Sequence, residues 1–292
     1  MKYASFFALV LLLSCGEKEQ AFTIDDNYLN ELQTYQSTLL NDRKPYLQLT
    51  DLFKLNSEEN TFGSDSSNTF VIDIPALPMR IGSINAFANH VFFTSEMGIE
   101  ARNEQDSVIT SKELTFNEYG NSEKLHFKRL IWQVITRGGE HYLRIWDMEN
   151  SAVIAFKGFD WYEPNPALIF NAQFTYYSQP KEEHVATQLG VNEQVNFVGK
   201  VTFNYNDEEY SLDVQPEGFT IVGDATSTKS TYGGGRYMYL DLPKADSLVV
   251  LDFNHLYNPP CAFSEYTTCP LPPKQNVLPF EILAGEEYNN QH

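Results

Sequence analysis

The chain has 292 residues, of which 42% are hydrophobic and 14% aromatic, a composition typical of a folded protein. Its 39 acidic and 20 basic side chains give a formal charge of −19. Such an excess of negative charge argues against nucleic acid and anionic lipid as direct partners, because both require a basic surface.

The N-terminal segment MKYASFFALVLLLSC is typical of a signal peptide. Lys2 precedes an apolar run from Phe6 to Leu13, which is too short for a transmembrane helix. The end of this run, LLSC, resembles the lipobox of bacterial lipoproteins, in which the cysteine receives fatty acyl chains, and Cys15 holds that position. An ordinary secretory signal with an incidental cysteine is the alternative.

The resemblance implies a signal peptide and lipobox over residues 1–15 and a tether over residues 16–23. The protein would then be held in the cell envelope by its lipid anchor. The acidic stretch GEKEQ after Cys15 is similar to the export signal of Bacteroidetes surface lipoproteins. We therefore expect an outer-membrane location that faces either the periplasm or the cell surface.

One helix is predicted after the tether, in the stretch IDDNYLNELQTYQSTLLNDRKP. Asp25 or Asp26 can cap its start, and Pro45 is expected to end it. Its larger apolar side chains recur at helical spacing and predict a buried face: Tyr28, Leu32, Tyr35 and Leu39.

The rest of the chain is rich in β patterns. LIWQVITRGGEHYLRIWD predicts a hairpin that turns at Gly138 and Gly139, and KVTFNYNDEEYSLDV predicts another. RYMYLDL and SLVVLDF are expected to form a further pair. The predicted fold is mostly β, with two packed β-sandwich or barrel-like parts and one N-terminal helix.

Two prolines, Pro164 and Pro166, interrupt the β pattern and indicate a boundary between the two parts. We predict an N-terminal domain over residues 24–159, which includes the helix, and a C-terminal β-domain over residues 160–292. The alternative is one continuous structure.

The run ENTFGSDSSNTFVI resembles the opening of a forkhead-associated domain. Gly63 and the polar loop with Asn68 match that family, but Ser64 stands where the family has its phosphothreonine-binding arginine. Because a serine cannot make the bidentate contact of a guanidinium with phosphate, the resemblance implies a β-sandwich without phosphopeptide binding.

Longer motifs carry a second resemblance. RGGEHYLRIWDMENSAVIAFKGFDWYEPNP, GDATSTKSTYGGGRYMYLDLP and LDFNHLYNPPCAFSEYTTCPLPPKQNVLPFEILAGE are similar to a bacterial family known only as domain of unknown function 1684. The resemblance covers most of the chain after the signal peptide and implies no reaction. His255 stands where that family usually has arginine or lysine, which argues against a catalytic histidine.

The polar residues of these motifs define a candidate ligand site in the C-terminal domain. We expect Arg236 to bind a carboxylate or phosphate and the neighbouring amides and carboxylate to read hydroxyl groups. A buried pair of Arg236 with Asp252, and asparagines that cap turns, are the alternative. The candidate residues are Tyr232, Arg236, Asp252, Asn254 and Asn258.

Two cysteines, Cys261 and Cys269, lie in YNPPCAFSEYTTCPLPP, where the prolines exclude a helix or a central strand. In an exported protein such a pair favours a disulfide, which would stiffen this segment as a lid or wall over the candidate site. A catalytic thiol at Cys261 with His255 and Asp252 is one alternative. A metal site is another, but no further ligands occur at suitable spacing. We predict no cofactor and no metal.

Three functions remain open from the sequence. The first is the binding of a small polar or anionic ligand, such as a sugar, in the C-terminal domain. The second is a hydrolase that uses carboxylates such as Asp252 and Asp224. The third is a structural envelope component. The absence of a phosphate-binding loop and of a Gly-x-Ser-x-Gly motif argues against nucleotide hydrolysis and the common serine hydrolases.

Overall fold

The computed structural model describes residues 22–56, 59–87 and 90–288. The predicted signal peptide, the lipidation site Cys15 and most of the predicted tether lie outside the described residues. Over the part that is described, the chain is mostly β, with several antiparallel sheets and one long helix near its start. The predicted fold class is confirmed. Among the described helices, none combines the length and the apolar character needed to cross a membrane.

The long helix, α1 (Asp26–Asp42), is followed directly by the short helix α2 (Lys44–Leu47). The side chain of Asp25 caps α1, because it accepts a hydrogen bond from the Tyr28 N–H at 2.9 Å. Pro45 does not end the helical region as expected. It lies in the first turn of α2, where its missing N–H leaves no hydrogen bond unmade.

The N-terminal part of the described chain forms two five-stranded sheets. One sheet has the strand order β1-β10-β9-β8-β6, and the other has the order β3-β2-β4-β5-β7. The bounds are β1 (Leu49–Lys54), β2 (Glu59–Gly63), β3 (Phe70–Val71), β4 (Gly82–Phe87), β5 (His90–Ser95), β6 (Arg102–Asn103), β7 (Ser111–Leu114), β8 (Leu125–Phe127), β9 (Leu130–Arg137) and β10 (Glu140–Asp147).

The two sheets share one core and therefore form a sandwich. Phe62 of β2 and Phe93 of β5 pack against Trp132 of β9, with ring centroids 5.5 and 5.4 Å apart. The predicted hairpin is the β9–β10 pair, whose turn residues Gly138 and Gly139 have φ values of 56° and 79°. This architecture agrees with what the forkhead-associated resemblance implies, and membership of that family stays a prediction.

The short helix α3 (Ala152–Ala155) follows β10 and precedes the C-terminal part, which contains a four-stranded sheet, β13-β12-β11-β16, and a strand pair, β14-β15. Its bounds are β11 (Ile169–Ala186), β12 (Asn192–Tyr205), β13 (Glu208–Val214), β14 (Phe219–Val222), β15 (Arg236–Tyr239) and β16 (Ser247–Asp252). Its core is separate from that of the sandwich and is rich in phenylalanine. The domain boundary near residue 160 stays a prediction.

The predicted pairing of RYMYLDL with SLVVLDF is wrong. β15 pairs with β14, and β16 pairs with β11. The alternation of apolar residues fits either partner, and the short connection between the two strands suggested a hairpin. The true partner of β15 precedes it across the long segment 223–235, and sequence patterns do not report such a pairing.

We predict that Phe93→Ala lowers the free energy of unfolding by about 3–5 kcal/mol, because it empties a fully buried ring position beside Trp132. The matched control is Phe92→Ala on the opposite face of the same strand, where the ring is 37% exposed. We expect that change to cost less than about 1 kcal/mol. Urea unfolding of both variants provides the test, and equal losses would contradict the sandwich as described.

Candidate functional site: an arginine cavity between the two parts

Arg236, the centre of the predicted ligand site, is 1% exposed and surrounded by protein partners. Its guanidinium donates to Asp224 Oδ2 at 2.9 Å and to the carbonyl oxygens of Ile282 at 2.9 Å and Glu286 at 3.1 Å. Asp224, and not Asp252, is therefore its carboxylate partner. These contacts hold the C-terminal segment against β15 and occupy both terminal nitrogens of the guanidinium, while its Nε is buried without a partner among the described residues.

Asp252 lies under the N-terminal helix. Its Oδ2 accepts hydrogen bonds from the Tyr28 hydroxyl at 2.8 Å and lies 3.1 Å from His255 Nδ1. Its Oδ1 accepts the backbone and side-chain N–H groups of Asn254 at 2.9 and 2.8 Å. Burial alone would raise the pKa of Asp252, but the hydrogen bond and charge of His255 and the bond from Tyr28 lower it below its ordinary value. This cluster fastens α1 to the C-terminal part.

The remaining candidates, Asn258 and Tyr232, also have partners within the protein. Asn258 is buried; its side chain donates to the carbonyl oxygen of Glu287 at 2.8 Å, and its backbone N–H donates to Glu286 Oε2 at 2.7 Å. The Tyr232 hydroxyl donates to the carbonyl oxygen of Cys261 at 3.0 Å. The five predicted residues therefore do not converge on one cavity, and of them only Asn258 lines the larger opening described next.

That opening is a cavity of about 600 Å³, which we call the arginine cavity. Its walls come from segments far apart in sequence: α1–α2, the β9–β10 hairpin, the β14–β15 pair and the chain that follows β16. The side chains that matter most are Tyr46, Arg137, Arg144, Tyr239, Tyr257 and Cys269.

Arg144 reaches the cavity because of strand alternation. It lies at the centre of β10, between β1 and β9, and its neighbours Leu143 and Ile145 point into the sandwich core. Successive side chains on a strand alternate between faces, so Arg144 points to the outer face. α2 packs on that face, where the Trp146 indole donates to the Pro45 carbonyl oxygen at 2.9 Å.

The Arg144 side chain forms no hydrogen bond and no ion pair with any residue that the structure describes. Its Nε is buried without a partner, and its guanidinium carbon lies 6.0 Å from the Trp146 ring centroid. Burial lowers the pKa of Arg144 to about 10, and the charge of Arg137 acts in the same direction. A half-buried cation without a counter-ion is costly and indicates a place for an anion.

Arg137, the neighbouring cation, is better satisfied. Its Nε lies 3.4 Å from Glu193 Oε1 and 3.2 Å from Thr268 Oγ1, and its other nitrogens reach Asn121 and two carbonyl oxygens. Burial raises the pKa of Glu193, although Arg137 and Arg144 both oppose this. Arg137 thus contributes positive field to the cavity while its own hydrogen bonds are largely used.

The cysteines do not form the predicted disulfide in this structure, where both are free thiols. They nevertheless lie side by side, because the N–H of each donates to the sulfur of the other at 3.1 and 3.2 Å. Cys269 lines the arginine cavity and packs with Tyr237. The segment is thus a wall of this cavity and not a lid over an Arg236–Asp252 site.

The alternatives for the cysteines gain no support. His255 is paired with Asp252, and within the described ranges no hydrogen bond joins it to Cys261. Among the described residues, no three His, Cys, Asp or Glu side chains are grouped so that they could hold a metal ion.

The arrangement is that of a two-part β protein with a basic, aromatic cavity between its parts. Residues 154–287 match the model of a family described as "Protein of unknown function (DUF1684)". The resemblance seen in the sequence is confirmed there, whereas the N-terminal sandwich lies outside the match.

A solved structure is also similar to this chain. An uncharacterized protein of Haloarcula marismortui, determined by solution NMR, is 29% identical over a match that covers 48% of this chain and 80% of that chain, with a TM-score of 0.40. No curated protein matches the sequence.

Sequence reasoning missed Arg144 and Tyr46. A signal for Arg144 was present, because the strand HYLRIWD carries one cation at its centre among buried apolar residues. A charged residue in the middle of a central strand needs a partner or a ligand. Tyr46 offered no such signal, since only the packing of α2 brings it to the cavity.

We predict that Asp252→Asn lowers the free energy of unfolding at pH 7 by about 1–2 kcal/mol, because it removes a charged hydrogen-bond acceptor under α1. Folding depresses the pKa of Asp252, so its stabilisation is present above the ordinary carboxyl pKa of about 3.9 and is lost as the pH falls through the folded value. The difference from the parent protein should therefore shrink towards pH 3.5.

Urea unfolding between pH 3.5 and pH 7 measures this dependence. Asp241→Asn is the matched control, because Asp241 is exposed and its loss should leave stability unchanged at every pH. A deficit for Asp252→Asn that stays constant over the whole range would contradict the assigned role of the carboxylate.

Proposed function

We propose that this protein binds a small anionic ligand in the arginine cavity, with Arg144 as the group that receives the ligand's carboxylate or phosphate. One observation carries this proposal: the Arg144 side chain has no hydrogen-bond or ion-pair partner among the described residues. This is unexpected in a chain that has many more acidic than basic side chains. With acidic side chains so abundant, a structural cation would readily find a carboxylate, as Arg43 and Arg236 do.

The charges around the cavity favour an anion over a neutral ligand. Arg137 lies close enough for its charge to disfavour the charged form of Arg144 and to lower the pKa of that residue. Glu193 compensates Arg137, and Asp42 lies exposed on the cavity lining with no ion pair to a described residue. An anion beside Arg144 would relieve the repulsion between the two guanidinium groups and supply the missing hydrogen bonds.

The size and the aromatic lining of the cavity suggest the rest of the ligand. About 600 Å³ is within the range of small-molecule sites. Tyr46, Tyr239 and Tyr257 line the cavity, and a tyrosine side chain combines apolar ring surface with a polar hydroxyl group. A ring-shaped acid, such as a sugar acid or an aromatic acid, combines the charge, the flat body and the polar edge that these residues complement.

The hydrolase alternative gains no support from the carboxylates on which it was based. Asp224 is paired with Arg236 in the protein interior, and Asp252 is bound to Tyr28 and His255 under α1. Neither carboxylate lines the arginine cavity. A pair of carboxylates that acts as general acid and base must flank one substrate position.

We propose further that Cys15 carries the lipid anchor and that the folded part stands close to the membrane. The support is the lipobox-like sequence and the short distance along the chain from Cys15 to α1, which begins at Asp26. Ten intervening residues can span at most about 35 Å. The cavity would then sample ligands near the surface of the envelope membrane.

We predict that Arg144→Gln weakens anion binding and makes the ligand-free protein more stable. Glucuronate, benzoate, citrate and inorganic phosphate are titrated into the full-length protein in neutral detergent, with glucose as the uncharged comparison, and binding is followed by thermal shift and calorimetry. At least one anion should bind, and Arg144→Gln should weaken it tenfold or more. Removing the unpaired charge should raise the free energy of unfolding by about 0.5–2 kcal/mol.

Arg80→Gln is the matched control, since Arg80 is a surface arginine that lies 3.9 Å from Glu96 and does not line the cavity. It should leave both binding and stability unchanged. The proposal is overturned if Arg144→Gln lowers stability and the parent protein binds none of the anions. Those results would indicate a structural role for Arg144.

We predict that Cys15→Ser releases the protein from the membrane fraction and abolishes incorporation of labelled palmitate. Cys261→Ser is the control and should keep both properties, because Cys261 lies within the folded part. Fractionation of cells that express each variant provides the measurement. A membrane-bound, labelled Cys15→Ser protein would contradict the anchor.

A further inference from the structure

A pair of thiols lies at the wall of the arginine cavity, where Cys269 forms part of the lining, and has no role in the proposed anion binding. Cys261 is partly exposed and Cys269 is buried. The reciprocal N–H to sulfur contacts, at 3.1 and 3.2 Å, hold the two side chains against each other across eight residues of chain. We propose that Cys261 and Cys269 form a thiol–disulfide exchange site whose substrate is a small disulfide that carries carboxylates.

The surroundings of the two sulfurs differ, and they assign the two roles. Cys261 Sγ accepts hydrogen bonds from the Thr267 hydroxyl at 2.9 Å and from the Cys269 N–H at 3.2 Å. Donors of this kind stabilise a thiolate, which is the nucleophilic form of cysteine. Cys261 is also the more exposed of the two. It is therefore the attacking residue, and Cys269 is the resolving residue.

The pKa values agree with this assignment. The hydrogen bond from the Cys269 thiol lowers the pKa of Cys261 to about 7, against the effect of burial, and Thr267, the Cys269 N–H and the Arg144 charge act in the same direction. The hydrogen bond to Cys261, burial and the Cys261 charge raise the pKa of Cys269 above its ordinary value. The lowered pKa of Cys261 and the raised pKa of Cys269 make Cys261 the residue that ionises first.

The other titratable groups that face the pair are tyrosines, namely Tyr46, Tyr232 and Tyr237. Burial raises the pKa of each, and the nearby cysteines add to the effect, so all three hydroxyls are neutral at pH 7. Arg144 is the cation whose charge acts on both sulfurs. The preference for an acidic substrate rests on the proposed anion site at Arg144, whereas the exchange itself rests on the cysteine geometry.

The substrate disulfide is the oxidant of the reaction, and no further redox partner is needed. The Cys261 thiolate attacks one sulfur of R–S–S–R; a Cys261–S–S–R bond forms, the substrate bond breaks and R–S⁻ leaves. Cys269 then transfers its proton to this thiolate and attacks the sulfur of Cys261. The Cys261–Cys269 disulfide forms and a second R–S⁻ leaves. Two electrons pass from the protein dithiol to the substrate disulfide, which becomes two thiols once the second R–S⁻ takes up from solvent the proton that Cys261 had released.

The first experiment uses the reduced full-length protein in neutral detergent and locates each product by peptide mass spectrometry. At pH 7, iodoacetamide should modify Cys261 at least tenfold faster than Cys269, and the Cys261 rate should reach half its maximum near pH 7. Thr267→Val should slow this reaction severalfold. The adjacent Thr268→Val is the matched control, because Thr268 contacts Arg137 and not the sulfurs.

Glutathione disulfide should convert the parent protein to the Cys261–Cys269 disulfide, and reduced glutathione alone should reverse it. Cys269→Ser should stop at a mixed disulfide on Cys261, and Cys261→Ser should not react. An internal disulfide that reduced glutathione cannot open would identify a structural cross-link, and unreactive thiols would exclude exchange. Either result overturns the proposal.

The second experiment separates the exchange from the anion site. Glutathione disulfide should react at least tenfold faster than cystamine, whose amines are positively charged, and Arg144→Gln should remove this preference. The same variant should still react with neutral hydroxyethyl disulfide, although severalfold more slowly, because loss of the Arg144 charge also raises the pKa of Cys261. Equal rates for all three disulfides in the parent protein would overturn the acidic substrate class and weigh against the anion site, even where the exchange itself is observed.

Discussion

The buried ion pair between Arg43 and Glu286 joins the first helices of the described chain to its last residues. The two terminal nitrogens of the Arg43 guanidinium donate to the two carboxylate oxygens of Glu286, at 2.8 and 2.6 Å. Both side chains are at most 5% exposed. The Arg43 guanidinium also lies over the rings of Phe156, Phe159 and Phe263. Because Arg43 and the adjoining helices form one wall of the arginine cavity, this pair fixes where that wall stands.

The same carboxylate organises the opposite side of the cavity. Glu286 Oε2 accepts the backbone N–H of Asn258, and the carbonyl oxygen of Glu286 accepts a bond from Arg236, which is itself paired with Asp224. Burial raises the pKa of Glu286, and Arg43 opposes that change. Loss of one partner from such a pair costs about 3–5 kcal/mol, because a buried charge is left alone. The main effect of this network is therefore to fix the positions of the cavity walls, and its contribution to net stability is secondary.

Arg43 and Arg236 are buried and have carboxylate partners, whereas Arg144 has none among the described residues. The proposed anion binding rests on this difference. The sequence predicted the mostly β fold, the β9–β10 and β12–β13 hairpins and the capped helix, since these depend on local alternation and turn residues. It did not reveal that β15 pairs with β14, or that Arg236 pairs with Asp224. The cavity was equally hidden, because α2, β10 and the chain after β16 meet only in the folded protein.

A crystal structure of the protein grown with glucuronate tests the central claim most directly. We expect electron density for glucuronate in the arginine cavity. Its carboxylate should lie within hydrogen-bond distance of the Arg144 guanidinium, and its ring should pack against the tyrosine side chains. A cavity that holds only water, with Arg144 turned to pair with Glu193 or with solvent, would contradict it.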